Sequence, residues 1–387
     1  MEYFSISEEK LLRLGALFTA REIWGQPSVW SKTSAKFFSE KKEITMFRDE
    51  MIKKSKKIIL TGAGTSAYIG YSLEGTFQRH TGITTVSIPT THLVTHPRDY
   101  LDPELPTLVV SFARSGNSPE SVAAVRLIDR ICTKVAHLVI TCDANGELAR
   151  YQSKNDKFTF ILPPESNDLS LAMTGSYTSM LLSGLLFARL PQTGELDKQV
   201  ELLVAYGNRI IRDGKILKEI ASLPFQRAVF LGSGPMFGTS TESSLKLQEL
   251  TDGNIICKND TYLGFRHGPR AVIDENTLVV FLFSCKDSVQ RYERDLVRSM
   301  QKGKKAFRLI GVSEKPVEGV ALDTALCFSQ SGTGIDEDFL SICSVLPAQM
   351  LGFFKSIGLG LKPDSPSVSG AISRVVEGVV IYDTDVA

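Results

Sequence analysis

The sequence predicts an α/β protein of two tandem doubly wound parallel-sheet domains, with a helical segment ahead of them and a tail behind. Three observations carry this. The chain repeats itself at an offset of 170 residues. Within each copy, short β-branched runs alternate with longer helical stretches, as in βαβ units. The strand-like runs are apolar throughout instead of alternating, as strands covered on both faces by helices must be.

The repeat is seen at four landmarks. Lys57–Leu60 (KIIL) runs into Gly62-Ala63-Gly64, and Ala228–Leu231 (AVFL) runs into Gly232-Ser233-Gly234. Leu108–Ser111 (LVVS) meets Leu278–Phe281 (LVVF), and Leu138–Thr141 meets Leu309-Ile310-Gly311 one position on. A charge-poor helix beginning near Leu169 meets one beginning at Phe339. The expected domains are therefore 1–49, helical, with Ser5 or Ser7 as cap; 50–195; 196–363; and 364–387, a tail ending in the strand-like Val375–Tyr382. A linker between the copies is expected near Pro191–Glu195. The 387 residues agree with two domains at roughly 100–200 residues each.

Composition narrows the function. Lys+Arg 44 against Asp+Glu 43 leaves a net charge of +1, which argues against a broad electrostatic grip on nucleic acid. No secretory signal opens the chain. The segments Leu169–Ala188 and Phe339–Phe354 are broken by Ser, Thr, Gly or Pro and suit buried helices better than membrane spans. The six cysteines, Cys132, Cys142, Cys257, Cys285, Cys327 and Cys343, form no CxxC pair, so buried, reduced thiols in a cytoplasmic protein are expected.

In the first copy, Gly62-Ala63-Gly64-Thr65-Ser66 joins a strand to a helix whose free N–H groups attract an anion. The next strand ends in Ala113-Arg114-Ser115-Gly116-Asn117-Ser118, where Ser115 and Ser118 can donate hydrogen bonds and Arg114 a charge-assisted one. Two such turns at neighbouring strand ends make a small phosphate cradle of Gly64, Thr65, Ser66, Arg114, Ser115 and Ser118. A packing turn with no ligand explains GAGTS alone equally well. No Lys-Ser/Thr closes the glycine run, so it is not a P-loop, and the third glycine of a dinucleotide fingerprint is missing.

The second copy replaces Thr65 and Ser66 by Pro235 and Met236, and its helix carries Glu242, Lys246 and Glu249 on one face. A solvated ion-pair stripe and a functional trio are both open readings of that spacing. His267, the only histidine of the second half, sits in Gly264-Phe265-Arg266-His267-Gly268-Pro269, a loop of defined shape. His92 and His96 lack a third ligand and are read as structural, so no metal site is assigned.

These pieces together, the GAGTS and ARSGNS turns, Glu-x-x-x-Lys-x-x-Glu at 242–249 and the His-Gly-Pro loop, resemble the sugar isomerase (SIS) family. The arrangement is similar to the isomerase half of glucosamine-6-phosphate synthase, two SIS domains in tandem. SFARSGNSPESVAAV, LGFRHGPRAVID and SRVVEGVVIY resemble the group of tagatose-6-phosphate ketose/aldose isomerases and galactosamine-6-phosphate deaminases. The chain opens Met1-Glu2, without a cysteine nucleophile, so transfer of glutamine nitrogen is not expected.

The resemblance implies flavodoxin-like SIS domains and a cofactor-independent deaminase/isomerase that converts galactosamine 6-phosphate to tagatose 6-phosphate and ammonia. Plain aldose–ketose isomerisation and a non-catalytic sugar-phosphate sensor are the alternatives. It implies that Thr65, Ser66, Ser115 and Ser118 hold the phosphate, with Arg114 standing where the family has glutamine and Ala113 where it has serine. Thr174 is a candidate for the pocket lining, as is Glu242. Glu249 is implied as the proton shuttle and His267 as the ring-opening group, reaching its site from a neighbouring subunit of a homodimer, with tetramers open. Lys246 and Arg374 are candidates to stabilise charge. The family's tail lysine has no counterpart: by register it falls on Glu377 or near Arg374.

Overall fold

The computed structural model describes residues 1–303, 305–376 and 378–382. The chain opens on a small antiparallel hairpin, β1 (Glu2–Tyr3) and β2 (Ile6–Ser7), which the helical expectation missed. Three helices follow: α1 (Glu8–Arg13), α2 (Leu17–Ser39) and α3 (Lys41–Lys54). Of the two proposed caps it is Ser7 that accepts the Lys10 amide. The first turn of α2 is capped from far along the sequence, because the Asp364 carboxylate accepts the Phe18 and Thr19 amides at 3.2 and 2.8 Å.

The first sheet is built from β3 (Lys57–Thr61), β4 (Thr84–Ser87), β5 (Thr107–Ala113), β6 (Val135–Thr141) and β7 (Asp156–Ile161), all parallel, in the order β4-β3-β5-β6-β7. Its helices are α4 (Thr65–Thr81), α5 (Thr90–Thr95), α6 (Pro97–Tyr100), α7 (Pro119–Ile131), α8 (Glu147–Arg150) and α9 (Gly175–Arg189). Every residue of β5 and β6 is buried, the pattern that their unbroken apolar runs predict.

After α10 (Thr193–Arg212) and α11 (Gly214–Ala221) comes the second sheet. Its strands are β8 (Arg227–Leu231), β9 (Ile256–Asp260), β10 (Thr277–Leu282), β11 (Arg308–Ser313) and β12 (Thr324–Cys327), in the order β12-β11-β10-β8-β9. Its helices are α12 (Pro235–Leu250), α13 (Asp287–Gln301), α14 (Glu337–Cys343) and α15 (Leu346–Gly358). In each copy the strands thus run 2-1-3-4-5, the flavodoxin-like order. The expected linker at 191–195 is helical, passing from a 3₁₀ turn into α10.

The contacts divide the chain into two compact units. One comprises Met1–Ser28, Leu169–Thr174 and Asp197–Ala371, and contains the second sheet. The other comprises Val29–Asp168, Gly175–Leu196 and Ile372–Ala387, and contains the first.

The 170-residue register holds through β3/β8, α4/α12 and β5/β10 and then slips. Val109 pairs with His137 where Val279 pairs with Leu309, an offset of 172 on the fourth strand. The charge-poor helices are matched differently from the sequence expectation. Leu169–Thr174 is not helical, and the counterpart of α9 is α15. Each carries one glycine at a close approach. A Cβ on Gly184 would lie 2.5 Å from Leu73 Cδ1 of α4, and one on Gly352 would lie 2.8 Å from Leu250 Cδ1 of α12. The stretch Glu337–Gly358 is long and apolar enough to cross a membrane, yet 94% of its 18-residue apolar window is buried within the protein. Val375–Tyr382 forms no strand among its described residues, and Val379, Val380, Ile381 and Tyr382 are exposed.

Gly184→Ala is expected to lower stability by about 1–3 kcal/mol, the usual cost of an overpacked core position. Gly25→Ala, whose Cβ would meet nothing within 4 Å, should be neutral or stabilising, because helical glycine costs roughly 0.5–1 kcal/mol. Urea denaturation midpoints of the two variants check the contrast.

Candidate functional site

In a doubly wound sheet, ligands bind outside the carboxyl ends of the strands where the strand order reverses. In the first sheet that point lies between β3 and β5, which pair in register as far as Thr61 opposite Ser111. Both hydroxyls are buried without a partner. Gly62 must be glycine because a Cβ would come within 2.6 Å of the Ser66 carbonyl carbon. Gly64 takes φ 55°, ψ −127°, the left-handed region that favours glycine. The chain thereby turns sharply into α4 and leaves Thr65 and Ser66, both buried, in its first turn.

The turn after β5 starts from the adjacent strand end. Ser115 and Ser118 are half-buried there, and the Ser115 and Gly116 amides have no acceptor among the described residues. Neighbouring chain braces this turn. Leu148 N donates to Gly116 O at 2.9 Å and Glu147 N to Asn117 Oδ1 at 2.9 Å. Gly146 lies so close that a Cβ would meet Ser115 O at 2.1 Å. Gly146 and Asn117 are supports that the motif reading overlooked, although an Asn-Gly pair marks the turn.

Arg114 is buried, and its guanidinium donates to the Arg374 carbonyl. The Arg374 guanidinium donates to Asp168 O and, at 3.0 Å, to Asn167 Oδ1, so this side chain anchors the tail to its own unit. Asp168 also caps α9, accepting the Gly175 and Ser176 amides at 3.0 and 2.9 Å. Seven residues separate that cap from its helix, which is why no sequence pattern reveals it. Glu377 lies outside the described residues.

In the second sheet, Gly234 repeats the first turn at φ 56°, ψ −131°, and Gly232 repeats the close approach, 2.2 Å from Met236 O. The geometry is shared but the chemistry is not. Pro235 at the first helical position removes both an N–H and a hydroxyl, and Met236 is fully buried. What α12 offers instead is an ion trio. Lys246 Nζ lies 2.5 Å from Glu249 Oε2 and 3.4 Å from Glu242 Oε1. The Lys246 and Glu242 side chains are 0% exposed and Glu249 is 18% exposed, which excludes the reading as a solvated stripe. A carboxylate at the edge of solvent, held beside a buried ammonium, is equipped to take and return a proton.

His267 is exposed at the end of a 3₁₀ turn, with no side-chain partner among the described residues. Thr174 is fully buried, in the unit of the second sheet. His92 and His96 are exposed on and beside α5, against Tyr100 and Thr95. Among the described residues no His, Cys, Asp or Glu cluster could hold a metal ion. All six cysteines are free thiols, but only Cys132, Cys142 and Cys343 are fully buried, and burial pushes Cys142 up to about 12.

The SIS domain model matches residues 51–190. The D-galactosamine-6-phosphate deaminase AgaS of Shewanella sp. (strain ANA-3) is 36% identical over 381 residues, covering 97% of this chain and 95% of that one. The chain belongs to the SIS family. A solved structure from Clostridium novyi, 37% identical, matches with a TM-score of 0.96 over 99% of this chain and 100% of that one. The tagatose-6-phosphate ketose/aldose isomerase of Escherichia coli, 33% identical, matches with a TM-score of 0.85 over 95% and 97%. The SIS model covers the first copy, and the shared strand order and turn torsions make the second sheet an SIS domain as well.

In this SIS protein the buried trio is also a stability element. Lys246→Met would leave two carboxylates facing each other on α12 and should destabilise by about 3–5 kcal/mol. Adding Glu242→Gln should restore part of the loss. A double-mutant cycle on thermal unfolding measures both.

Proposed function

We propose that this SIS protein is a cofactor-independent amino-sugar phosphate deaminase that converts galactosamine 6-phosphate to tagatose 6-phosphate and ammonia. The observation that carries the reading is the half-buried Glu249 held at 2.5 Å by buried Lys246, in a chain 36% identical to a D-galactosamine-6-phosphate deaminase over nearly its whole length. The phosphate is held by the first-copy turns through Gly64, Thr65, Ser66, Ser115 and Ser118, with Arg114 adding positive charge. His267 donates to the ring oxygen and opens the sugar. Glu249 takes the proton from C2, giving an enolamine, and returns it to C1. The product is a 2-imine, and water releases ammonia from it to leave the ketose. Lys246 stabilises negative charge that develops on oxygen. Arg374 acts chiefly by fixing the tail, and Glu242 and Thr174 line the pocket.

Interconversion of an aldose phosphate and a ketose phosphate without nitrogen is the second reading, favoured by the likeness to the Escherichia coli isomerase. It needs the same proton shuttle and differs only in the substituent at C2. The exposed, unpartnered side chain of His267 supports a homodimer in which that histidine serves the neighbouring subunit, and light scattering would separate dimer from tetramer. Six free thiols suit a cytoplasmic setting.

A coupled ammonia-release assay over 2-amino-hexose and hexose 6-phosphates tests the reading. Glu249→Gln should lower kcat by roughly 10²–10⁴-fold. Ser66→Ala and Ser115→Ala should act mainly on KM. Absence of ammonia from every 2-amino-hexose 6-phosphate would leave only the isomerase reading, and a Glu249→Gln enzyme as fast as its parent would remove both.

A further inference from the structure

The turn after β10 corresponds by register to the turn after β5, since Thr277 pairs with Arg227 as Thr107 pairs with Lys57. Ser284 therefore stands where Arg114 stands, at the switch point of the second sheet. In the first copy this turn keeps the Ser115 and Gly116 amides open, and α7 presents Val125 to Ala113. In the second copy the residue just ahead of the matching pair, Ser284, is bonded from within, and its Oγ accepts the Lys286 amide at 3.1 Å. The Ser284 amide donates to both carboxyl oxygens of Glu293, at 3.0 and 3.3 Å, and Ser284 Oγ donates to Glu337 Oε1. Lys286 Nζ lies 2.7 Å from Glu337 Oε2, and Gln290 Nε2 donates to Ser284 O at 2.6 Å. Glu293 is 1% exposed and Glu337 6%.

Glu337 opens α14, and α14 is tied to the helix of the ion trio: Thr239 Oγ1 on α12 donates to Ser341 O at 2.9 Å. We propose that the Glu293 carboxyl is an internal ligand of the second switch-point turn, and that through Ser284 and Glu337 it is a positioning residue for α14 and so for the catalytic helix α12. This rests on the reading of α12 as the proton-transfer helix.

The charged surroundings give the junction a pH dependence. Burial pushes Glu293 up to about 8; the Ser284 amide opposes this, the Glu337 charge adds to it, and Arg294 opposes it. The groups around it are Glu337 with its partner Lys286 from α14 and the turn, Arg294 on α13, the buried Tyr262 beyond β9, and Cys285 with Glu314 beside Glu337. The folded chain keeps a proton on Glu293 that the unfolded chain releases in the ordinary carboxylate range. This stabilisation is complete below that range and is lost as pH rises to about 8. Above that pH two carboxylates face each other across one serine, and the hold on α14 weakens.

The test follows kcat, KM and the thermal unfolding midpoint from about pH 5 to about pH 9.5 for the parent, Glu293→Gln and Ser284→Ala, with galactosamine 6-phosphate as substrate. The parent should lose kcat on a limb near pH 8 with KM nearly constant. Glu293→Gln keeps one oxygen to accept the Ser284 amide and cannot ionise, so it should retain activity at neutral pH, lose that limb and flatten the midpoint between pH 5 and 8. Ser284→Ala should lower kcat about tenfold at every pH, as displacement of a catalytic element does. An unchanged limb and midpoint slope in Glu293→Gln, or a change confined to KM, overturns the proposal. The midpoint needs no substrate, so failure of the deaminase reading and failure of the junction are separately visible.

Discussion

An ammonium with no contact to solvent is costly to keep, several kcal/mol in real proteins after relaxation, and it persists only where opposite charge is held rigidly beside it. Lys246 meets that condition with carboxylates four residues before it and three after it on the same helix. The requirement then passes outward. Helix α12 can hold its charges dry only if α15 lies against it. Gly352 allows this, because a Cβ there would come within 3.1 Å of Lys246 O. Helix α15 is in turn fixed by Gln349, whose side chain accepts from Gln26 at 2.6 Å, and by Lys355, which donates to Leu223 O at 2.7 Å. Gln26 sits on α2, whose start depends on Asp364. One buried charge therefore accounts for features that otherwise look like unrelated packing.

Both sheets carry the same turn, to within a few degrees at Gly64 and Gly234. Backbone geometry survived because each leading glycine is forced by a contact with the residue four positions on, whatever its side chain. Side-chain chemistry was free to diverge. The first copy kept hydroxyls and open amides at its switch point. The second has Pro235 without an amide hydrogen, buries Met236, and bonds the Ser284 amide to the Glu293 carboxyl group.

The sheet topology was legible because it depends on local signals: glycine turns, apolar runs, and a repeat that aligns them. The burial of Glu242 and Lys246 was not, since charges at i, i+4 and i+7 read alike whether the face meets water or another helix. Only the apolar run of α14 and α15, more than ninety residues on, decides it. The pairing of α9 with α15 was hidden because apolar content says nothing of which residue is the contact point, and Gly184 and Gly352 mark that only once α4 and α12 are in place. The residues of the two strand-end turns could be named from sequence, and an Asn-Gly pair signals Gly146, though not that it braces the turn after β5. Asp168 carries no such signal, because it caps α9 from outside the helix. The tail looked strand-like from its valines, but no strand forms there among the described residues.

On the proposed reading, the charge inventory of α12 bears on why a carboxylate would serve as the shuttle. With Glu242 and Glu249 ionised and Lys246 protonated, the trio carries one net negative charge, buried at Glu242 and Lys246 and at the edge of solvent at Glu249. Moving a proton from carbon onto Glu249 discharges it, leaving a neutral Lys246–Glu242 pair while the substrate takes up the negative charge. On that reading the Lys246 ammonium would meet the growing enolamine or enediol charge as the carboxylate stops needing it, so one cation would serve first the base and then the intermediate. Glu242, fully buried 3.4 Å from Lys246, would hold that cation in place throughout, which gives a second buried acid a part in a reaction that needs only one base.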